Sequence, residues 1–129
     1  MLKTYFISGV KSKQLSELEF NTYYRPRIIA AVAVGHSFVL SHLSEVDLMA
    51  QKLLIYLLAK ELNRMKVYHL ENQSPLLYDA NIPVKGNFKS IEHMENAMIE
   101  DSNDDITFIL SEDKKELQYI ARSQQKLES

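Results

Sequence analysis

The order of apolar runs and helical stretches predicts an α/β protein of the Rossmann-like kind. This is a three-layer sandwich with a mostly parallel sheet of about four or five strands and helices on both faces. Two observations carry the prediction. The strand-like runs are short and continuously apolar rather than alternating, which marks strands covered on both faces. They take turns with stretches of helical periodicity, giving β-α-β-α-β-α-β-α along the chain. The 129 residues make a single domain, 1–129, because two hydrophobic cores need more chain.

The elements follow in order. Thr4 to Ser8 is a short aromatic and apolar run closed by Gly9, read as a buried first strand. After a polar loop, Ser16 with Glu19 three residues later forms a capping-box pattern. The helix it opens runs to about Val34, kinked or broken at Pro26 and stopped by Gly35. Ser37 to Ser41 is the second strand. Ser44 caps a helix reaching about Asn63, with Val46, Ala50, Leu53, Leu54 and Leu57 at helical spacing. Met65 to Leu70 is the third strand. Asn72 to Asn87, carrying Pro75, Pro83 and Gly86, reads as a long loop of the kind that is often functional. Ser90 caps a helix through about Glu100. Ile106 to Leu110 is the fourth strand, and Glu112 to about Lys126 closes the chain as an amphipathic helix with Leu117, Ile120, Ala121 and Leu127 inward.

Composition excludes several function classes. There is no cysteine, so disulfides, thiolate metal sites and cysteine nucleophiles are absent. A net charge of −2 leaves no electrostatic footprint for nucleic acid or an anionic membrane. The longest apolar run, Leu53 to Ala59, is bracketed by Lys52 and Lys60 and falls far short of a span. No leader is visible at the N-terminus, so a cytoplasmic protein is expected. The Leu53 to Ala59 run is apolar around most of its circumference, so either neighbouring helices cover the rest or Ile55, Tyr56 and Leu58 form a subunit interface, and a homodimer is the expectation. Glycine is scarce: only Gly9, Gly35 and Gly86 are present, whereas phosphate-cradling loops usually need several.

Ligands of such sheets bind beyond the carboxyl ends of the strands. That address holds Ser8-Gly9, Ser41-His42, the long loop and Ser111. Within it, Ile7-Ser8-Gly9, then Leu18-Glu19-Phe20 and Tyr23-Tyr24-Arg25-Pro26-Arg27-Ile28, resembles the opening of small single-domain members of the SLOG superfamily. These are Rossmann-like nucleotide-binding domains related in fold to nucleoside 2-deoxyribosyltransferases. Asp47-Leu48-Met49-Ala50-Gln51 is similar to their segment at a helix start. Lys85-Gly86-Asn87-Phe88-Lys89-Ser90, with Ala97-Met98, is similar to their loop and helix before the last strand. The family's glycines before the second-helix aspartate are replaced by Ser41-His42-Leu43-Ser44-Glu45-Val46, and its turn after the last strand by Ser111-Glu112-Asp113. Glycine permits close backbone approach, so these exchanges alter the phosphate cradle.

The resemblance implies a small-ligand domain for a nucleotide or nucleoside, with N-glycosidic chemistry of the transferase or hydrolase type. Asp47 is then the catalytic or ribose-binding carboxylate; the alternative is an acid placed to suit a helix's first turn. Ser8 and Gly9 either contact a ligand through the backbone or make a tight turn. Ser41 and His42 end the second strand, where His42 is a polar contact or a satisfied rim residue. Tyr23, Tyr24, Arg25 and Arg27 stack on a base and pair with an acidic group, or one tyrosine packs in the core and the other caps it. Lys85, Asn87 and Lys89 close over a ligand as a lid, with Gly86 at the cleft's edge, or belong to a solvated loop. Ser111 ends the last strand. No cofactor and no metal site is expected, since Glu92, Glu95 and His93 lack a ligand pattern. The other function class is a catalytically inactive, degenerate relative acting as an oligomeric interaction or accessory protein.

Overall fold

The computed structural model describes residues 2–10, 14–110 and 117–119. Strand β1 spans Thr4–Ile7, and the helical region after it divides into α1 (Glu17–Tyr23) and α2 (Arg25–Val34). Ser16 opens α1 as the sequence predicts: its hydroxyl accepts the Glu19 N–H, and the Glu19 carboxylate accepts the Ser16 N–H, both at 3.2 Å. The break falls at Tyr24, which places Pro26 in the first turn of α2. There its missing N–H leaves no helix bond unmade. Gly35, at φ +107°, ends α2 in the left-handed conformation that a side chain would disfavour.

Strand β2 (Ser37–Leu40) leads into α3 (Glu45–Leu58), and β3 covers Met65–Leu70. Helix α3 stops short of the expected Asn63. A 3-10 turn over Leu62–Arg64 follows it, and the Arg64 guanidinium donates to the carbonyls of Val32 (2.8 Å) and His36 (2.9 Å). Those acceptors lie at the end of α2, whose last carbonyls need donors. This long-range bond holds the turn in place of further helix.

Strand β4 is Val84–Phe88, α4 is Ile91–Glu100 and β5 is Asp104–Ile106. The expected long loop therefore ends earlier, and its last residues form a strand. Its pattern is hard to read because Val84, Lys85 and Asn87 are exposed and a bulge interrupts the pairing. Asn87, at φ +68°, supplies the extra residue of that bulge. The expected fourth strand splits in two: Ile106 ends β5, and Phe108–Leu110 form β6. Strand β7, Leu117–Tyr119, pairs antiparallel with β6, where a helix was expected. Leu117 is buried, and the Tyr119 hydroxyl donates to the Asp105 carbonyl at 3.1 Å. These non-local contacts override the local helical spacing. The rest of that expected helix lies outside the described residues.

The main sheet runs β4-β3-β2-β1-β5 with every pairing parallel. Steps from β1 to β2 to β3 move one way across it, and α1, α2 and α3 pack together on one face. The connection through α4 returns to the far side of β1, and α4 packs on β3 and β4. Crossovers of one hand require this change of face when direction reverses. Two cores result. Ile7, Phe38, Leu40, Met65 and Val67 point toward α1 to α3, while Phe6, Val39, Tyr68 and Phe88 join Met94 and Met98 of α4. Residues adjacent along β1 and β2 alternate between them, the period-2 signature of strands covered on both sides. The protein is thus α/β, with a five-stranded parallel sheet in a Rossmann-like sandwich. No helix among the described residues is long and apolar enough to cross a membrane. Of the three residues expected at a dimer interface, Leu58 is buried in the core, Ile55 is half-buried against it, and Tyr56 is exposed.

Candidate functional site

Strand order reverses between β1 and β5, which is where a ligand crevice opens in sheets of this kind. Here the chain's own side chains occupy that place. The Ser8 and Thr107 hydroxyls share a hydrogen bond of 2.8 Å, and the Tyr24 hydroxyl donates to the Ser8 carbonyl at 2.7 Å. The Tyr24 ring is fully buried, stacked on Phe20 at 5.6 Å and tilted against Phe108 at 4.8 Å. Burial, with the nearby Asp47 charge, raises the Tyr24 phenol's pKa well above its ordinary value. Tyr24 is therefore a neutral donor held in the core beneath the end of β1. Tyr23 meets Phe108 edge-on, and the Arg27 guanidinium lies over the rings of Phe108 and Tyr119.

The next corner joins β2 to α3. Ser44 caps α3, accepting the Asp47 N–H at 3.1 Å, and the Asp47 carboxylate accepts the Ser44 N–H at 3.2 Å. The same carboxylate oxygen accepts the Ser41 hydroxyl at 2.5 Å. Asp47 is 4% exposed and Ser41 7%. Burial raises the Asp47 pKa above the ordinary carboxylate value near 3.8, opposed by the bonds from Ser41 and Ser44. Gly9 lies against this corner: a Cβ built on it would stand 3.4 Å from Ser44 Oγ and 3.5 Å from Val46 Cβ, ordinary contact distances. Ser8, Gly9, Tyr24, Ser41 and Asp47 are thus brought together at the ends of β1 and β2. A helix N-terminus is a natural anion site, and at α3 the protein's own Asp47 carboxyl occupies it.

His42 stands on the rim of this corner. The Leu76 N–H donates to its Nδ1 at 3.4 Å, so the neutral ring carries its proton on Nε2. That Nε2 is buried and, among the described residues, has no hydrogen-bond partner. Desolvation and then the nearby His69 lower the His42 pKa below 6.5, against the opposing pull of Asp47. His42 therefore presents a donor rather than a charge.

Gln51 is a site-forming residue that the sequence reading passed over. Its side chain, fully buried, donates from Nε2 to the Leu76 carbonyl at 3.0 Å and accepts the Tyr78 N–H on Oε1 at 2.6 Å. One amide thus fixes the loop between β3 and β4 over the start of α3. The signal was its register: Gln51 follows Asp47 by four and precedes Leu54 by three, on the buried stripe of the helix.

Gly86, Asn87 and Lys89 lie elsewhere. Gly86 is inside β4, where a Cβ would stand 2.3 Å from the His69 ring; the glycine admits that ring above the strand. Asn87 forms the bulge, and Lys89 is exposed beyond the strand. Neighbouring Lys85 pairs with Asp101 at 2.9 Å, and Asp101 also accepts the Tyr68 hydroxyl at 2.5 Å. Ser111 lies outside the described residues. Among the described residues, no three His, Asp or Glu side chains gather as metal ligands. Against known proteins, no family model, no curated protein and no solved structure matches the chain.

Proposed function

We propose that this chain is a catalytically inactive Rossmann-like domain that works by binding, as an interaction or accessory protein, and that its phosphate position has been given over to its own side chains. The observation that carries the proposal is Asp47. A catalytic carboxylate must reach the reacting carbon, and a ribose ligand must reach the carboxylate. Asp47 is 4% exposed and accepts hydrogen bonds from Ser41 and Ser44. A phosphate at the start of α3 would meet this carboxylate and that of Glu45 in the first turn. The Asp47 carboxyl already takes the capping position, and the Glu45 carboxylate repels an incoming anion. The SLOG-like segments of the sequence accord with a relative that kept its sheet and lost its cradle.

A thermal-shift panel of nucleosides, nucleotides and ADP-ribose derivatives, joined to an assay for free base released from nucleosides, tests this. The expected result is an unchanged melting temperature at millimolar ligand and no base release. A ligand at about a hundred times its Kd adds roughly 2.7 kcal/mol to stability, so occupancy would be seen. Base release abolished by Asp47→Asn would overturn the proposal.

His42 favours a second reading, in which an uncharged nucleoside-type molecule settles on the rim. Its Nε2–H, buried and without a partner among the described residues, is a donor that a ring nitrogen, carbonyl or hydroxyl would satisfy if it reached that depth. That reading expects stabilisation by nucleosides but not by their phosphates, lost in His42→Phe.

A further inference from the structure

The outer surface of the α1–α3 layer carries a groove of about 480 Å³ that shares no residue with the corner built around Asp47. Its size falls within the range of small-molecule sites. Phe20 and Leu53, buried from the α1 and α3 sides, and half-buried Met49 supply an apolar base. The Tyr56 ring, 78% exposed, stands beside them. Two cations, Arg25 and Lys52, border the same space. Among the described residues neither pairs with a carboxylate: Lys52 rests on the Tyr78 ring at 4.8 Å. Among the described residues Glu17 is the one acid lining the groove, so their local balance is positive in a chain of net charge −2.

We propose that this groove binds a small organic anion, an aromatic or branched aliphatic carboxylate, with its apolar body against Phe20, Met49, Leu53 and Tyr56 and its carboxylate between Arg25 and Lys52. Arg25 offers the planar fork that matches a carboxylate, and Lys52 a mobile point charge. Tyr56 supplies a rigid, amphipathic wall. Because the groove is separate from the β2–α3 corner, the proposal stands whatever that corner binds.

The test is a matched pair of probes, 3-phenylpropionate and its neutral amide, titrated into the full chain while backbone amide resonances are followed by NMR. The expected result is saturable shifts confined to α1, the start of α2 and α3, with the acid binding at least about fivefold more tightly than the amide. In the double variant Arg25→Gln, Lys52→Gln the two probes should bind alike, with an otherwise unchanged spectrum. Tyr78→Leu, which removes only the ring under Lys52, should leave the acid's preference in place. Equal binding of acid and amide to the native chain, shifts centred away from the groove, or no saturation at about 10 mM would each overturn the proposal.

Discussion

The ends of β1 and β2 and the pair β3–β4 each hold one of the glycines expected to frame a cleft, and they use it differently. At β1, Gly9 lies against the start of α3 with room for a Cβ and little more: it would meet Ser44 and Val46 at contact distance. At β4, Gly86 has no such room, because the His69 ring fills it at 2.3 Å. The first region is ordered by hydrogen bonds among Ser41, Ser44 and Asp47. The second is ordered by one ring packed over a strand. A glycine in a binding-edge position is thus no sign of a phosphate cradle until its neighbours are known.

The sharpest way to break the first region is Asp47→Ala. It removes the acceptor for the buried Ser41 hydroxyl and half of the α3 cap. A lost cap costs about 1 kcal/mol and a buried donor left unpaired about 1–3 kcal/mol, so denaturant unfolding should show a loss of about 3 kcal/mol. Asp47→Asn reports on the charge instead. Burial raises the folded-state pKa of Asp47 above 3.8, so the folded protein binds the proton more tightly than the unfolded chain. The stability linked to that proton is fully present below about pH 3.8 and is lost as pH rises through the raised folded value. The native chain should therefore lose stability relative to Asp47→Asn as pH climbs through that window. A difference that is flat with pH would contradict the sign.

That corner was partly legible. Ser44 followed by an acid three residues on is a local signal, and local signals survived folding: the caps at Ser16, Ser44 and Ser90 and the stop at Gly35 all formed. What could not be read depends on distant partners. Strand β4 has exposed Val84, Lys85 and Asn87 and a bulge, so neither alternation nor an apolar run announces it. Leu117–Tyr119 has helical spacing in sequence but is held by Phe108 and Asp105. Gln51 stands on the buried stripe of α3, but that register does not say which loop its amide fastens. The burial of Asp47 is likewise set by Ser41, six residues away, and by the packing above it.

The second region breaks more gently. Gly86→Ala forces the His69 ring aside, at a cost of about 1–3 kcal/mol as for other overpacked sites. Adding His69→Ala to it should recover most of the loss, because the clash then has no second party. Gly9→Ala is the control: its new methyl meets only ordinary contacts, so its effect should stay within about 0.5 kcal/mol. Thermal or denaturant melts of the native chain and these three variants decide the matter. A Gly9→Ala loss as large as that of Gly86→Ala would erase the distinction between the regions.

The smallest effect is also the one that joins the two regions. His42 belongs to the β2 corner, yet after desolvation the next influence on its proton is His69 from β3, while Asp47 pulls the other way. Because its folded pKa lies below 6.5, the folded protein favours the neutral ring. The associated stability is present above pH 6.5 and is lost as pH falls through the folded value. An NMR titration of the imidazole resonances should place the His42 midpoint below 6.5. His69→Gln should move that midpoint up by removing a like charge, and Asp47→Asn should move it down by removing an opposite one. A His42 midpoint at or above 6.5, or one indifferent to both substitutions, would mean that the rim of the corner is open to water. The Nε2–H would then be no buried donor, and the nucleoside reading of His42 would fall with it, whereas the capped and buried Asp47 would be untouched.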